Sequence, residues 1–347
     1  MVSLSYMPSL LDRFRSTGAD LPFGDPLPAH GVASEGYFWR FSQPGTGRSL
    51  TVFVGVNRGA DGPWSTVSFA AHPNGFVRTA AVSEGVADPH RLGAEAGKVL
   101  RADVDGVQVD HGPDARLDVR ITDRIEWPRR AFGGASFFQS IPGVAHRWHP
   151  WLFGGKVEGT AVVGGETWDL TGAEVYAEKR WGSGAFPEKW WCGQAQGFDD
   201  GTCVSFAGGA FTSGRIRIET TLVVIRLPNG AVLRFGGPRT SHVRAHVDEE
   251  KFSLHGRSPM SGIEIEGSSP LDAAFVLPAP SLDDEKNAPA AIVHLGARMH
   301  VTLRRRAEIS WSGESTIAAL EYGGFERARE EHERRASTDP AAAPPVA

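Results

Sequence analysis

Residues 221–237 read TLVVIRLPNGAVLRFGG. Two apolar runs rich in β-branched residues flank Pro228-Asn229-Gly230, a pattern that reads as a β-hairpin. Asn229 and Gly230 are expected to supply the two positive-φ positions of a tight turn. The same grammar recurs on both sides. GYFWRFS (36–42) and SLTVFVGVN (49–57) flank PGTG, and KVEGTAVV (156–163) and ETWDLTGAEVYAEKRW (166–181) flank a Gly-Gly pair. RLDVRITDRIEW (116–127), GIEIEG (262–267) and ARMHVTLRRRAEISWSG (297–313) alternate polar and apolar residues with the period of a strand. The chain's 42 glycines and 23 prolines suit many short strands better than long helices. Only residues 8–16 and GGFERAREEHERRAS (323–337) read as helix, and the final STDPAAAPPVA has the composition of a disordered tail. The expected fold class is all-β, with two barrels or sandwiches in tandem and little helix. The join is expected near WHPWLFGGK, at about residue 150–160.

Composition narrows the function. The net charge of −5 disfavours nucleic acid and strongly anionic membranes as partners. No apolar run is long enough to span a bilayer, and the N-terminus lacks the cationic lead of a signal peptide. A cytoplasmic location is the expectation, with Leu10, Leu11 and Phe14 offering at most a weak peripheral contact at the inner membrane face. The alternating charges of ERAREEHERR are expected to be solvated. Cys192 and Cys203 form neither a metal-binding spacing nor a disulfide framework. Hydrolase, nucleotide and dinucleotide signatures are missing. No metal and no cofactor are expected.

Chemistry concentrates in VYAEKRWGSGAFPEKWWCGQAQGF, residues 175–198, which holds Trp181, Trp190 and Trp191. On a strand, Glu174, Tyr176, Glu178 and Arg180 share one face, and Val175, Ala177, Lys179 and Trp181 share the other. In the next strand Trp190, Cys192, Gln194, Gln196 and Phe198 fall on one side, while Gly193, Ala195 and Gly197 leave room on the other. A carboxyl desolvated among indoles takes up a proton more readily and becomes a general acid near neutral pH. Tyr176 is placed to hydrogen-bond Glu178, and indole faces stabilise a cation. A solvated Glu178 ion pair and packed tryptophans account for the same pattern without chemistry, and periodicity does not choose between them.

AEVYAEKRWGSGAFPEKWWCGQAQGF resembles the signature of the tocopherol cyclase family, and PAHGVASEGYFWRFS, HPWLFGGKVEG and STIAALEYGG are similar to further parts of its pattern. The resemblance implies two lipocalin-like β-barrels in tandem: an N-terminal extension (1–30), a first domain (31–155), a second (156–325), and a charged helix with tail (326–347). It also implies closure of a prenylated quinol to a chromanol, in which an alkene is protonated and a phenolic oxygen captures the cation. Carotenoid hydratases are more distantly similar and use Tyr-x-Asp and His-x-Trp pairs, which Tyr176-Ala177-Glu178 and His146-Arg147-Trp148 match, with His149 competing for the second. The resemblance therefore implies Glu178, Tyr176 and His146 as catalytic residues. Trp39, Trp148, His149, Trp181, Trp190, Trp191, Gln194 and Gln196 become the substrate-binding set. Arg180 stands where the family has asparagine, and Cys192-Gly193 interrupts its aromatic run. An arginine beside Glu178 favours the ionised form, which leaves Asp169 as a further candidate acid. Two other functions suit the scaffold: a pericyclase that holds a polyene through Gln194 and Gln196, and a carrier of an apolar ligand.

Overall fold

The computed structural model describes residues 9–338 apart from 22, 24–29, 129–131, 183–185, 214–215, 238–240, 283, 285 and 307. Two antiparallel sheets, of twelve and ten strands among the described residues, carry the fold. In the first, the hairpin of Ser34–Gln43 with Arg48–Gly59 is followed outward by Gly62–His72 and Phe76–Val82. The other side of Ser34–Gln43 pairs with Glu174–Gly182, and next to that run His146–Val163 and Ala115–Glu126. In the second sheet Lys189–Ala195 lies between Cys203–Ser213 and Glu308–Gly323, and Lys286–Arg305 follows. Each sheet curls around its own core. Trp39, Trp151, Val175 and Ala177 belong to the first, and Trp191, Phe206, Phe252 and Leu320 to the second. Burying a Val, Leu or Phe side chain in these cores contributes about 1.5–3 kcal/mol.

The outer faces of the two sheets pack against each other. Trp148, Phe153 and Tyr176 of the first meet Cys203 and Val224 of the second, and Ala70 and Val77 meet Trp190, Cys192 and Leu277. Arg40 ties the faces together. Fully buried, it donates to Gln194 Oε1 (2.8 Å) and to the carbonyls of Gln194, Leu295 and Ile317.

Three expectations need correction. The chain leaves the first sheet after Gly182 and enters the second at Lys189, not at 150–160, because His146–Val163 is a single strand through the expected join. Its register shifts between His149 and Lys156 mark bulges that bend the strand without ending it, so His-Pro and Gly-Gly do not make a boundary here. Of the two turn residues Asn229 and Gly230, only Gly230 takes positive φ (81°). The amide of Leu227 bonds the carbonyl of Ala231, and that of Gly230 bonds the carbonyl of Leu227, both at 2.9 Å. Proline holds φ near −65°, which suits a type I turn, so Asn229 stays right-handed and the glycine alone makes the bulge.

The third concerns the C-terminal helix, Phe325–Thr338, which is docked rather than free in solvent. Its Glu331 is fully buried, and hydrogen bonds from Arg334 first, then Arg335 and Arg327, hold the carboxyl down to about 2 against burial. Arg335 reaches the carbonyls of Ala274 (2.6 Å) and Leu271 (2.9 Å). The N-terminal helix spans Leu10–Arg15, with Leu10 and Leu11 exposed and Phe14 half-buried. No described helix is long and apolar enough to cross a membrane. The tail beyond Thr338, expected to be disordered, lies outside the described residues.

Candidate active site

Between the sheets lies a cavity of about 230 Å³. From the first sheet Phe38, Phe53, His146, Trp148 and Trp181 line it, and from the second Trp190, Cys192, Ala207 and Leu222. Most of its wall is apolar, and its charged members include Arg180 and Glu321. Strand alternation explains the membership. Phe38 faces the cavity, whereas its neighbour Trp39 points into the first core. Glu321 stands directly opposite Cys192 in the second sheet, on the face shared with Trp190.

Small residues seat the indoles. Trp190 pairs with Gly323, where a Cβ would fall within the indole ring, and Trp191 covers Gly208 in the same way. The space expected over Gly193 is filled by the ring of Phe206. The hollow lies on the opposite face.

Glu178 is buried, but one layer back from the cavity, whose lining does not include it. Its Oε2 accepts from Tyr176 Oη (2.6 Å) and Trp148 Nε1 (2.8 Å). Its Oε1 lies 2.7 Å from both Nε and Nη2 of Arg180. Every one of these partners is a donor. Arg180 also donates through Nη1 to Glu321 Oε1 (3.1 Å), which Trp190 Nε1 reaches at 2.6 Å. Burial alone would lower the Arg180 guanidinium, but the Cys192 sulfur and the Glu178 and Glu321 carboxylates raise it well above its usual value. Burial, followed by the charge of Glu178, pushes the Tyr176 phenol well up, so it remains a donor; Ser205 Oγ lies 2.7 Å behind it.

The structure thus brings Glu178, Tyr176, Trp148 and Trp190 into one network, with His146 and Trp181 on the cavity wall. It separates the others. Asp169 is exposed on Glu166–Asp169, and its carboxylate accepts from the Thr171 amide, which holds it below the usual range. Trp39 is in the first core, and Trp191 is in the second, donating to Thr221 Oγ1 at 3.0 Å. Gln194 is held by Arg40, and Gln196 donates to the carbonyls of Val175 (3.0 Å) and Phe153 (3.3 Å), so both join the sheets rather than face the cavity. His149 Nδ1 accepts from the Gly134 amide at 3.4 Å, and burial, then the charge of Lys179, hold its imidazole down to about 3. It is neutral and outside the cavity lining.

Sequence reasoning missed Glu321 and saw Arg180 only as a departure. The available signal was a lone acid at the end of the apolar run STIAAL. Among the described residues no cluster of His, Cys, Asp and Glu is placed to hold a metal.

Comparison with solved structures shows the same fold. CghA with Sch210972 aligns over 88% of this chain and 94% of its own, at 12% identity and a TM-score of 0.60. Kievitone hydratase from Nectria haematococca aligns over 93% of this chain and 96% of its own, at 11% identity and a TM-score of 0.51. No curated protein matches the sequence itself. The tocopherol cyclase-like family profile matches residues 73–324, a stretch that contains Glu178, Arg180 and Glu321. By that match over most of its length, the chain belongs to the tocopherol cyclase-like family.

Proposed function

We propose that the protein is an enzyme of the cyclase or hydratase type, which protonates a carbon–carbon double bond of an apolar substrate held between the sheets. One observation carries this reading. Glu321 borders the apolar cavity; Trp190 and Arg180 hold its Oε1, and no hydrogen bond from a described residue reaches its Oε2. Glu178 and Glu321 share one guanidinium, so one positive charge serves two carboxyl groups.

The proton passes from Glu321 Oε2 to one alkene carbon, and the cation forms at the other, where the indoles of Trp148 and Trp190 border the cavity. On a prenylated quinol the phenolic oxygen closes on the cation and its proton returns to Glu321. A C–H and a C–O bond form, the O–H bond and the alkene π bond break, and the net change is an isomerisation. Capture by water in place of the phenol makes the same site a hydratase. Membership of the tocopherol cyclase-like family supports the reading, as does the fold shared with a hydratase. Gln194 and Gln196 are engaged elsewhere, which leaves the pericyclase reading without its hydrogen-bond donors.

Incubation with a short-chain prenylated hydroquinone in D2O tests it. The expected product is the cyclic ether carrying one deuterium on the carbon that was protonated. Recovery of the quinol unchanged from a stoichiometric complex would make the protein a carrier instead.

A further inference from the structure

We infer that the segment Ser9–Leu21, which precedes the family match, is a strap that braces the cavity wall from behind, with Gly18 positioning Trp181 and Arg147. Both residues border the cavity, paired across neighbouring strands, and both side chains turn toward the strap on the other face of the sheet. The Nε1 of Trp181 donates to the Gly18 carbonyl at 2.7 Å. The Arg147 guanidinium is fixed by the carbonyls of Ile141 (2.6 Å) and Val144 (2.7 Å), and the strap backbone lies directly on it. A Cβ at Gly18 would stand 2.6 Å from Arg147 Nη1, and the φ of +83° already disfavours any other residue.

A buried charge anchors the strap. Asp20 is fully buried; its amide donates to the Gln139 carbonyl at 2.9 Å and its Oδ2 accepts from Gln139 Nε2 at 3.3 Å. His30 Nε2 lies 3.7 Å from Oδ2, and Arg15 Nε lies 3.9 Å from Oδ1. Burial alone would raise this carboxyl, but the neighbouring His30 imidazole and the charge of Lys179 hold it down to about 2, so the anchor stays ionised. His30 in turn stacks on Trp181, with centroids 4.4 Å apart and planes within 7°. Gln139 sits in the short turn Ser136–Ser140, which follows Ala135 of the cavity lining. Three separate points of the wall are therefore braced from one segment. A charge is retained in such a place only when it is paired.

Cys192 offers a readout that needs no substrate. Its thiol lines the cavity, whereas Cys203, equally buried, does not. Burial pushes both thiols up, that of Cys203 to about 12, so neither is activated as a thiolate and a gain in labelling at one of them reports new exposure there. The test is the rate of N-ethylmaleimide labelling at each cysteine, followed by peptide mass spectrometry. It is applied to the full chain, to a variant lacking residues 1–21, and to Gly18→Val. Cys192 is expected to label about tenfold faster or more in both variants, with Cys203 still protected. Unchanged labelling of Cys192 in either variant overturns the inference. So does equal exposure of both cysteines, which would show general loosening of the fold rather than loss of one wall.

Discussion

Glu178 and Glu321 lie on different sheets, yet one guanidinium bonds both: Arg180 meets Glu178 Oε1 at 2.7 Å and Glu321 Oε1 at 3.1 Å. The first carboxylate is enclosed by donors, and the second borders the cavity. Their roles divide accordingly. In the mechanism we propose, Glu178 aims the guanidinium and Glu321 exchanges the proton.

Glu321→Gln is therefore expected to lower turnover of a prenylated quinol by about 10²–10⁴-fold, the usual worth of a general acid. Glu178→Gln keeps the cavity-facing carboxyl and is expected to lose less. Single-turnover rates of the two variants decide the matter, and the reverse order would return the proton-transfer role to Glu178.

Arg180→Met leaves Glu178 buried with only Tyr176 and Trp148 as donors. Breaking a fully buried pair costs about 3–5 kcal/mol, and about 2–3 kcal/mol is expected here. The lower figure follows because the Arg180 side chain is 33% exposed to water. The shift of the urea midpoint at constant slope measures it.

His149 predicts a pH dependence. Its folded value of about 3 lies below the unfolded value near 6.5, so between the two the unfolded chain binds more protons. Its contribution is whole above pH 6.5 and is lost as the pH falls toward 3, by up to about 1.4 kcal/mol per unit. The paired carboxyl of Asp20 acts in a lower window, from about 4 down to 2. His149→Phe should accordingly show a shallower loss of stability between pH 6.5 and 5 than the parent, by urea titration at each pH. Parallel curves would contradict a buried neutral imidazole.

Gly323→Ala places a methyl group where the Trp190 ring lies. Overpacking of this kind costs about 1–3 kcal/mol. It also moves the Trp190 Nε1 that holds Glu321 Oε1, so activity is expected to fall further than in an alanine substitution at exposed Gly45. Denaturation midpoints and turnover, measured on both variants, test the coupling.

Period-two alternation in the sequence determined which residues share a face. Tyr176, Glu178 and Arg180 lie together as their spacing requires, with Val175 and Ala177 turned into the first core. The all-β class was equally legible, because turn residues and alternating runs are local properties. Which faces meet was not. Gln194 shares its strand face with Trp190, yet an arginine from the other sheet claims it, and Gly193 faces a phenylalanine ring rather than a hollow. Glu321 reaches Arg180 across 141 residues of chain, through a pairing of strands and a packing of sheets that no local pattern encodes. Alternation orients a side chain relative to its own strand, whereas its neighbours across the sheet and beyond it depend on how the whole chain buries its apolar surface.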